Sequence, residues 1–303
     1  MVNVHYAAST GLAAVWAQRV CRVPTVLSLV GRDAVPGPLV PHLWPWYSRL
    51  IAKRVAHTVF ISHFCRSYRP QDRFSWSVVP YGADTHKIRP DIPTTALREE
   101  LGIPPGVRGL FALQRLAPIK RVDIAIQCVG HLLDQGVDRF ILLIGGTGPQ
   151  AGALRRLTNR LGVHDCVRFL GFVPEERIGE YFALSDIFVC PSPFETFGIT
   201  LVQAMAAGVP VAATRGSAIP EVVEDGKTGL LAPPLDAQAL ARATQTLLDD
   251  ENRRQVMGRR ARRVAEELYD WDRVAFQYES ILRCTIQRTR CKGSGGLEHR
   301  GQS

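Results

Sequence analysis

Short runs of β-branched and apolar residues alternate with amphipathic stretches along the whole chain, the pattern that gives parallel sheets with helices on both faces. Val2 to His5 reads as a strand, Gly11 to Val20 as a helix and Thr25 to Val30 as a strand. A loop rich in Gly and Pro, Gly31 to Pro45, leads to a helix near Trp46 to Ala56 and to strands near Thr58 to Ile61 and Ser77 to Val79. Between Pro80 and Pro93 the periodicity is lost, which predicts a hinge. The α/β pattern then starts afresh, with strands at Gly109 to Leu113, Phe140 to Ile144, Val167 to Leu170, Ile187 to Cys190 and Val209 to Ala213. Helices follow at about Asp236 to Asp249, Glu251 to Tyr269 and Asp272 to Ile286, and the Gly-rich tail beyond them reads as disordered.

These elements predict three parts: an N-terminal domain over residues 1–93, a complete α/β domain over 94–271, and a returning helix with its tail over 272–303. The first part is short. A doubly wound domain needs two βαβαβ halves, and residues 1–93 supply roughly one of them. The opening strand, apolar at Val2 and Val4, reads as a central strand with no earlier one to cover its edge. The expectation is therefore an incomplete N-terminal domain, belonging to a fragment or to a protein whose true start lies upstream.

The composition, 46% hydrophobic and 21% charged over 303 residues, is that of a folded protein with room for two cores. The seven cysteines are scattered without a CxxC pair, which speaks against a zinc site or a disulfide framework and for free thiols in a reducing cytoplasm. No apolar run approaches the roughly 18 residues of a membrane-spanning helix. The charge is uneven, because residues 1–90 hold 11 Lys and Arg against 3 Asp and Glu, while the rest is nearly balanced. That asymmetry predicts a surface for an anionic partner, a lipid leaflet or a phosphorylated acceptor in preference to nucleic acid, with a solvated basic face as the plain alternative. Trp44, Trp46 and Tyr47, followed by Arg49, Lys53 and Arg54, suit either a membrane surface or a core-packed helix with a basic outer side.

Three stretches carry candidate chemistry. In Pro191-Ser-Pro-Phe-Glu-Thr-Phe-Gly-Ile-Thr-Leu-Val-Gln203 a strand ends, a loop presents Glu195 and a helix begins near Gly198, so free backbone N–H groups form an anion site with an acid beside it. In Leu113-Gln-Arg115-Leu-Ala-Pro-Ile-Lys120-Arg121 two or three cations leave the first strand of the second domain, which suits a diphosphate. Gly145-Gly-Thr-Gly-Pro149 joins a strand to a helix, but its spacing matches no dehydrogenase fingerprint. Each alone is compatible with an ordinary turn. Gly226-Lys-Thr228 lacks the upstream glycine of a P-loop, and the histidines form no metal cluster.

In this order and spacing the three stretches resemble glycosyltransferase family 4, the retaining enzymes of the two-domain GT-B fold. Val79-Pro-Tyr-Gly-Ala-Asp-Thr85 resembles the family's interdomain segment, and Pro220-Glu-Val-Val-Glu-Asp-Gly-Lys-Thr-Gly-Leu-Leu231 extends the match, which covers essentially residues 1–285. The resemblance implies two Rossmann-like domains, the N-terminal one incomplete, and a nucleotide-sugar donor site in the second. Arg115 and Lys120 would hold the diphosphate, Glu195 the sugar ring, and the N–H groups of Phe197, Gly198 and Ile199 the phosphate and sugar oxygens. Thr196 and Gly146 would line the donor, Arg168 to Val173, with Phe172, the base, and Gln203 the ribose. His5, Gly31 and Asp33 would stand on the acceptor side. The family's usual proposal lets the leaving phosphate take the acceptor proton on the same face. It implies no cofactor, no metal and no protein nucleophile.

Three departures qualify the resemblance. The family's Glu-x7-Glu pair reads Glu195 and Gln203 here, a motif usually written "HG" reads Val30-Gly31, and the N-terminal strands with their glycine-rich loop are missing. The expected activity is transfer of a hexose with retention, in the cytoplasm or on the inner face of a membrane, to an acceptor that is a glycan, a lipid or a small molecule. The alternative is a sugar-nucleotide-binding module without transfer. A GT-B epimerase is disfavoured because no additional acid and base groups can be placed.

Overall fold

The computed structural model describes residues 1–35, 43–69 and 74–294, so part of the loop after Gly31 and the Gly-rich tail lie outside the described residues. The chain divides into two compact units, Met1–Tyr81 together with the chain from Asp272, and Gly82–Trp271.

In the first unit, strands β1 (Val2–His5), β2 (Thr25–Leu29), β3 (His57–Phe60) and β4 (Trp76–Val78) alternate with helices α1 (Ala7–Arg19), α2 (Leu43–Ala52) and α3 (His63–Ser67). The sheet is parallel in the order β1-β2-β3-β4. All five residues of Thr25-Val-Leu-Ser-Leu are buried, as in a strand covered on both faces. One cover is α12 (Trp271–Ser294), whose Val274 is buried with Val26, Val59 and Val79 while Tyr278, Ile281 and Leu282 pack around them. Ser28 and Tyr278 share a hydrogen bond of 3.2 Å. The helix α1 lies close to α2 through small residues, and a Cβ on Gly11 would stand 3.0 Å from Ile51.

β1 is the terminal strand of this sheet, paired with β2 alone among the described residues, with one edge uncovered as the sequence pattern leads one to expect. Its Val4 is buried and its Val2 exposed. The side of α1 turned from the core carries Leu12, Trp16 and Val20, which are 68%, 60% and 65% exposed. Their spacing of four puts them in one apolar stripe.

In the second unit the strands are β5 (Arg108–Leu113), β6 (Phe140–Gly145), β7 (Val167–Gly171), β8 (Ile187–Cys190), β9 (Val211–Thr214) and β10 (Gly229–Ala232). Around them run α4 (Thr95–Glu100), α5 (Val122–Asp134), α6 (Ala151–Arg160), α7 (Glu175–Leu184), α8 (Ile199–Ala206), α9 (Ile219–Val222), α10 (Ala237–Asp249) and α11 (Glu251–Val264). The sheet is parallel in the order β10-β9-β8-β5-β6-β7. The sequence pattern names five of these strands and omits β10, which is four residues long and half-buried in its middle. β9 starts after Pro210 rather than at Val209, since a proline nitrogen cannot donate to the ladder. The helix expected over Glu251 to Tyr269 ends in a wider π turn at Ala265–Tyr269.

The division between units falls at Tyr81/Gly82, ahead of the boundary expected at residue 93. The segment after Gly82 is bound to the end of the second unit: Ala83 bridges Asp270, Thr85 donates to the Asp270 carboxylate, and Arg262 donates to the carbonyls of Thr85 and Ile88 at 3.0 and 2.8 Å. Gly82 allows this approach, because a Cβ there would meet the Trp271 ring at 2.8 Å.

Candidate functional site

From β5 the chain steps outward through β6 to β7, and from β8 it steps the other way through β9 to β10, while β5 and β8 are neighbours. The strand order therefore reverses between β5 and β8, and a parallel sheet opens a crevice at the C-terminal ends of such a pair. The loops that leave these strands hold most of the candidate residues for the donor.

Leu113 ends β5, and the chain continues through Gln114 and the exposed Arg115 to Lys120 in a short 3-10 turn at Pro118–Lys120. Cys190 ends β8, and the chain from Pro191 to Gly198 carries Glu195 to the start of α8. The two loops meet where Lys120 Nζ donates to Glu195 Oε1 at 2.6 Å, with side chains 25% and 13% exposed. Below them Gln114 Nε2 donates to Cys190 Sγ at 3.1 Å. Burial, and then the Glu195 charge, push the Cys190 thiol up to about 12, so it stays protonated.

The Glu195 loop is tied at several points. The hydroxyl of Thr214 donates to Ser192 O at 2.6 Å, and the amide of Ala218 donates to Glu195 O at 3.1 Å. Gly216 passes so close to Pro193 that a Cβ would stand 2.2 Å from its carbonyl oxygen. Gly198 precedes α8 at φ +97, where a Cβ would meet the Leu201 side chain at 2.6 Å, so glycine alone fits without strain. The first amides of α8 have no carbonyl four residues back to bond, which leaves them to an anion in front of the helix. Phe197 offers its backbone but not its ring, which is buried against Tyr269 at 5.8 Å between centroids.

The glycine turn after β6 is clasped to the Arg115 loop. The amide of Leu116 donates to Thr147 O at 2.9 Å, the amide of Gln150 donates to Leu116 O at 3.0 Å, and a Cβ on Gly146 would stand 1.9 Å from Gln114 O. At the end of β7, Gly146 donates to Gly171 O at 2.6 Å, Phe172 is 75% exposed and Val173 is buried. Arg168 sits within β7, opposite Leu143, and not in the loop beyond it. Gln203 is half-buried on α8, about one turn after its start, and Thr196 stands in the loop ahead of it.

The three residues expected on the acceptor side belong to the first unit. His5 ends β1 and lies 3.4 Å from the Asn3 side chain, and Gly31 follows β2 at φ +61. Asp33 is buried, and its carbonyl accepts from Arg69 at 2.9 Å. Sequence reasoning named no role for Gln114 or Cys190. A polar residue between Leu113 and Leu116 at a strand end was the available signal, but only pairing of β5 with β8 makes the two neighbours.

Residues 93–264 match the family described as Glycosyl transferases group 1. The chain is 32% identical over 227 residues to a D-inositol 3-phosphate glycosyltransferase of Streptomyces avermitilis, covering 72% of this chain and 49% of that protein. It is 32% identical over 254 residues to a GDP-mannose-dependent alpha-(1-6)-phosphatidylinositol monomannoside mannosyltransferase of Mycobacterium tuberculosis, covering 78% of this chain and 65% of that protein. The chain thus spans about half the length of the first relative and about two thirds of the second. In fold it is similar to the crystal structure of Anabaena HepE in complex with UDP and glucose, with a TM-score of 0.84 at 22% identity over 93% of this chain and 78% of that one. The fold is α/β of the GT-B type. With more than half of its residues inside the family match, the chain belongs to the group 1 glycosyl transferases.

Proposed function

We propose that the chain serves the transfer of a hexose from a nucleoside diphosphate sugar to an acceptor, with retention at the anomeric carbon. The observation that carries the reading is the convergence of Arg115, the Lys120–Glu195 pair and the start of α8 on the crevice between β5 and β8. Breaking the anomeric C–O bond leaves an oxocarbenium-like sugar and a diphosphate that gains negative charge. Arg115, Lys120 and the α8 amides are better partners for that charge than for the ground state, and Glu195 accepts from sugar hydroxyls. The leaving phosphate takes the acceptor proton on the face it departs from, so no protein nucleophile is needed. With two cations and a helix N-terminus at the phosphates, the reaction is expected to run without a divalent metal.

In this reading Phe172 and Val173 border the base, Gln203 accepts from the ribose, and His5, Gly31 and Asp33 face the acceptor. The similarity to a fold seen with UDP and glucose, and to a relative whose name specifies GDP-mannose, supports a nucleotide-sugar donor and leaves uracil and guanine as the bases to compare. The basic first unit, with the exposed Trp46 and Arg49 on α2 and Lys53 just after it, supports an acceptor met at an anionic membrane surface on the cytoplasmic side.

Titration calorimetry with UDP and GDP, run beside a transfer assay with UDP-glucose and GDP-mannose in EDTA, tests the reading. Binding with transfer supports it. Binding without transfer makes the chain a sugar-nucleotide-binding module, and absence of binding overturns the assignment of the site.

A further inference from the structure

The first unit contains a cavity of about 230 Å³ at the edge of its sheet opposite to the one from which His5 and Gly31 leave. Three of its lining residues stand at the N-terminal ends of strands or beside them: Gln18 near the end of α1, Ala56 just before β3 and Ser75 just before β4. Thr285, Arg288 and Thr289 of α12, the helix that covers the sheet, complete it. Arg288 and Ser75 are exposed, so the cavity opens to solvent. The proposed sugar transfer uses none of these residues.

The polar groups around the cavity are mostly donors. Arg288 makes no ion pair among the described residues, and the hydrogen bond that its Nη1 donates to Ser75 Oγ is long, 3.4 Å. Gln18 Oε1 accepts from the Thr25 amide at 2.8 Å. A backbone N–H can only donate, so that contact fixes which amide atom is the oxygen and leaves the NH2 group of Gln18 as a donor. Thr285 and Thr289 spend their hydroxyl protons on Ile281 O and Thr285 O, at 2.7 and 2.9 Å. Among the described residues no Asp or Glu lines the cavity, and late carbonyls of α1, those of Trp16 and Ala17, are bonded by the amides of Val20 and Val23. A guanidinium and an amide NH2 with no carboxylate beside them suit an anion.

Size and direction narrow the anion. The volume falls short of the roughly 300 Å³ at which pockets for organic ligands begin, which is too little for a nucleotide and enough for a phosphate group. The donors come from two different helices, and a tetrahedral phosphate presents oxygens to both where a carboxylate holds its two side by side. We propose that this cavity is a phosphate-binding site, distinct in every residue from the donor site, in which Arg288 and Gln18 hold the phosphate between α12 and α1 beside the start of β4. Bound there, the phosphate ties α12 to the sheet that it covers. The site does not depend on the reading of the chain as a transferase.

The test uses the full chain and inorganic phosphate at constant ionic strength, read by thermal unfolding and by the NMR signals of His57, whose Nδ1 lies 2.7 Å from Ser75 Oγ. A raised Tm and a saturable shift of the His57 signals are expected, with a Kd of about 1 mM. Arg288 is exposed, so its replacement leaves the core intact, and Arg288→Gln is expected to weaken binding about tenfold or more. Arg283→Gln removes the same charge from α12 outside the cavity and is expected to stay within about twofold of the wild type. His57 signals that ignore phosphate, or an Arg288→Gln variant that binds as well as the wild type, would overturn the proposal. Equal weakening by Arg288→Gln and Arg283→Gln would also overturn it, by showing a diffuse basic surface, and so would binding that is lost in Lys120→Ala instead. Sedimentation with vesicles of phosphatidic acid in phosphatidylcholine, against phosphatidylcholine alone, separates the sources of the phosphate. Sedimentation that needs both phosphatidic acid and Arg288 supports the site with a lipid headgroup in it, and phosphate binding without such sedimentation supports it with a free phosphate.

Discussion

Lys120 donates to Glu195 across 2.6 Å and so joins the loop after β5 to the loop after β8. Both side chains are mostly withdrawn from water, so the contact is screened less than a surface pair. In the proposed site the pair holds a cation for the diphosphate and a carboxylate for a sugar hydroxyl. Each partner preorganises the other before a donor arrives.

Removing the cation should therefore act on the reaction more than on the fold. Lys120→Ala and Arg115→Ala are each expected to lower kcat by about 2–4 kcal/mol of barrier, roughly 30- to 900-fold, the size of a lost partner for developing charge. Steady-state kinetics at saturating donor read the effect. A folded Lys120→Ala variant with the wild-type kcat would remove Lys120 from the reaction.

Gln203 occupies a position about one turn into α8, where in the proposed site a neutral amide faces the ribose. A carboxylate accepts a hydrogen bond more strongly than an amide carbonyl. Gln203→Glu is expected to tighten UDP or GDP binding by about 1 kcal/mol, which calorimetry resolves. Weaker binding of both nucleotides in that variant would show that Gln203 does not face the ribose.

The alternation of apolar runs placed nine of the ten strands within one or two residues, because each is a short run rich in apolar and β-branched residues. β10 escaped because Gly229-Leu-Leu-Ala is brief and opens with glycine, and its strand character comes from pairing with β9. The unit boundary was misplaced for a similar reason. Residues 83–88 have no periodicity of their own and are held by Asp270 and Arg262 from far along the chain. In the candidate site, Glu195, Lys120 and Gly198 were legible from residue type and loop position. Contacts between loops were not, and the burial of the Phe197 ring and the Gln114–Cys190 contact depend on strand order alone.

The apolar stripe of Leu12, Trp16 and Val20 on α1 covers nothing among the described residues, although the opposite side of the helix is buried at Ala7, Gly11 and Ala14. An exposed stripe of this kind promotes association. Trp16→Lys is expected to lower self-association of the chain in light scattering while changing stability by no more than about 0.5 kcal/mol, as for a surface substitution. A marked loss of stability would mean that the stripe is covered in solution.

His57 gives the first unit a pH dependence with a definite sign. Its Nδ1 lies 2.7 Å from Ser75 Oγ and its Nε2 3.0 Å from Ser77 Oγ, so both ring nitrogens face hydroxyls and neither faces a carboxylate among the described contacts. Burial, with the Arg288 charge second, lowers its pKa below the ordinary value of 6.5. Above about pH 6.5 the ring is neutral in the folded and the unfolded chain and contributes no slope. As the pH falls through that value the unfolded chain takes up a proton that the folded one refuses, so stability declines until the lowered folded pKa is reached. His57→Gln removes the titration and keeps an amide able to bond one of the serines. Urea unfolding of both proteins between pH 7.5 and 5 is expected to show a steeper acid loss in the wild type, and the difference between the two curves isolates His57 from every other titrating group. Parallel curves would mean that His57 titrates alike in the folded and unfolded chain, and that its burial between β3 and β4 carries no penalty for charge.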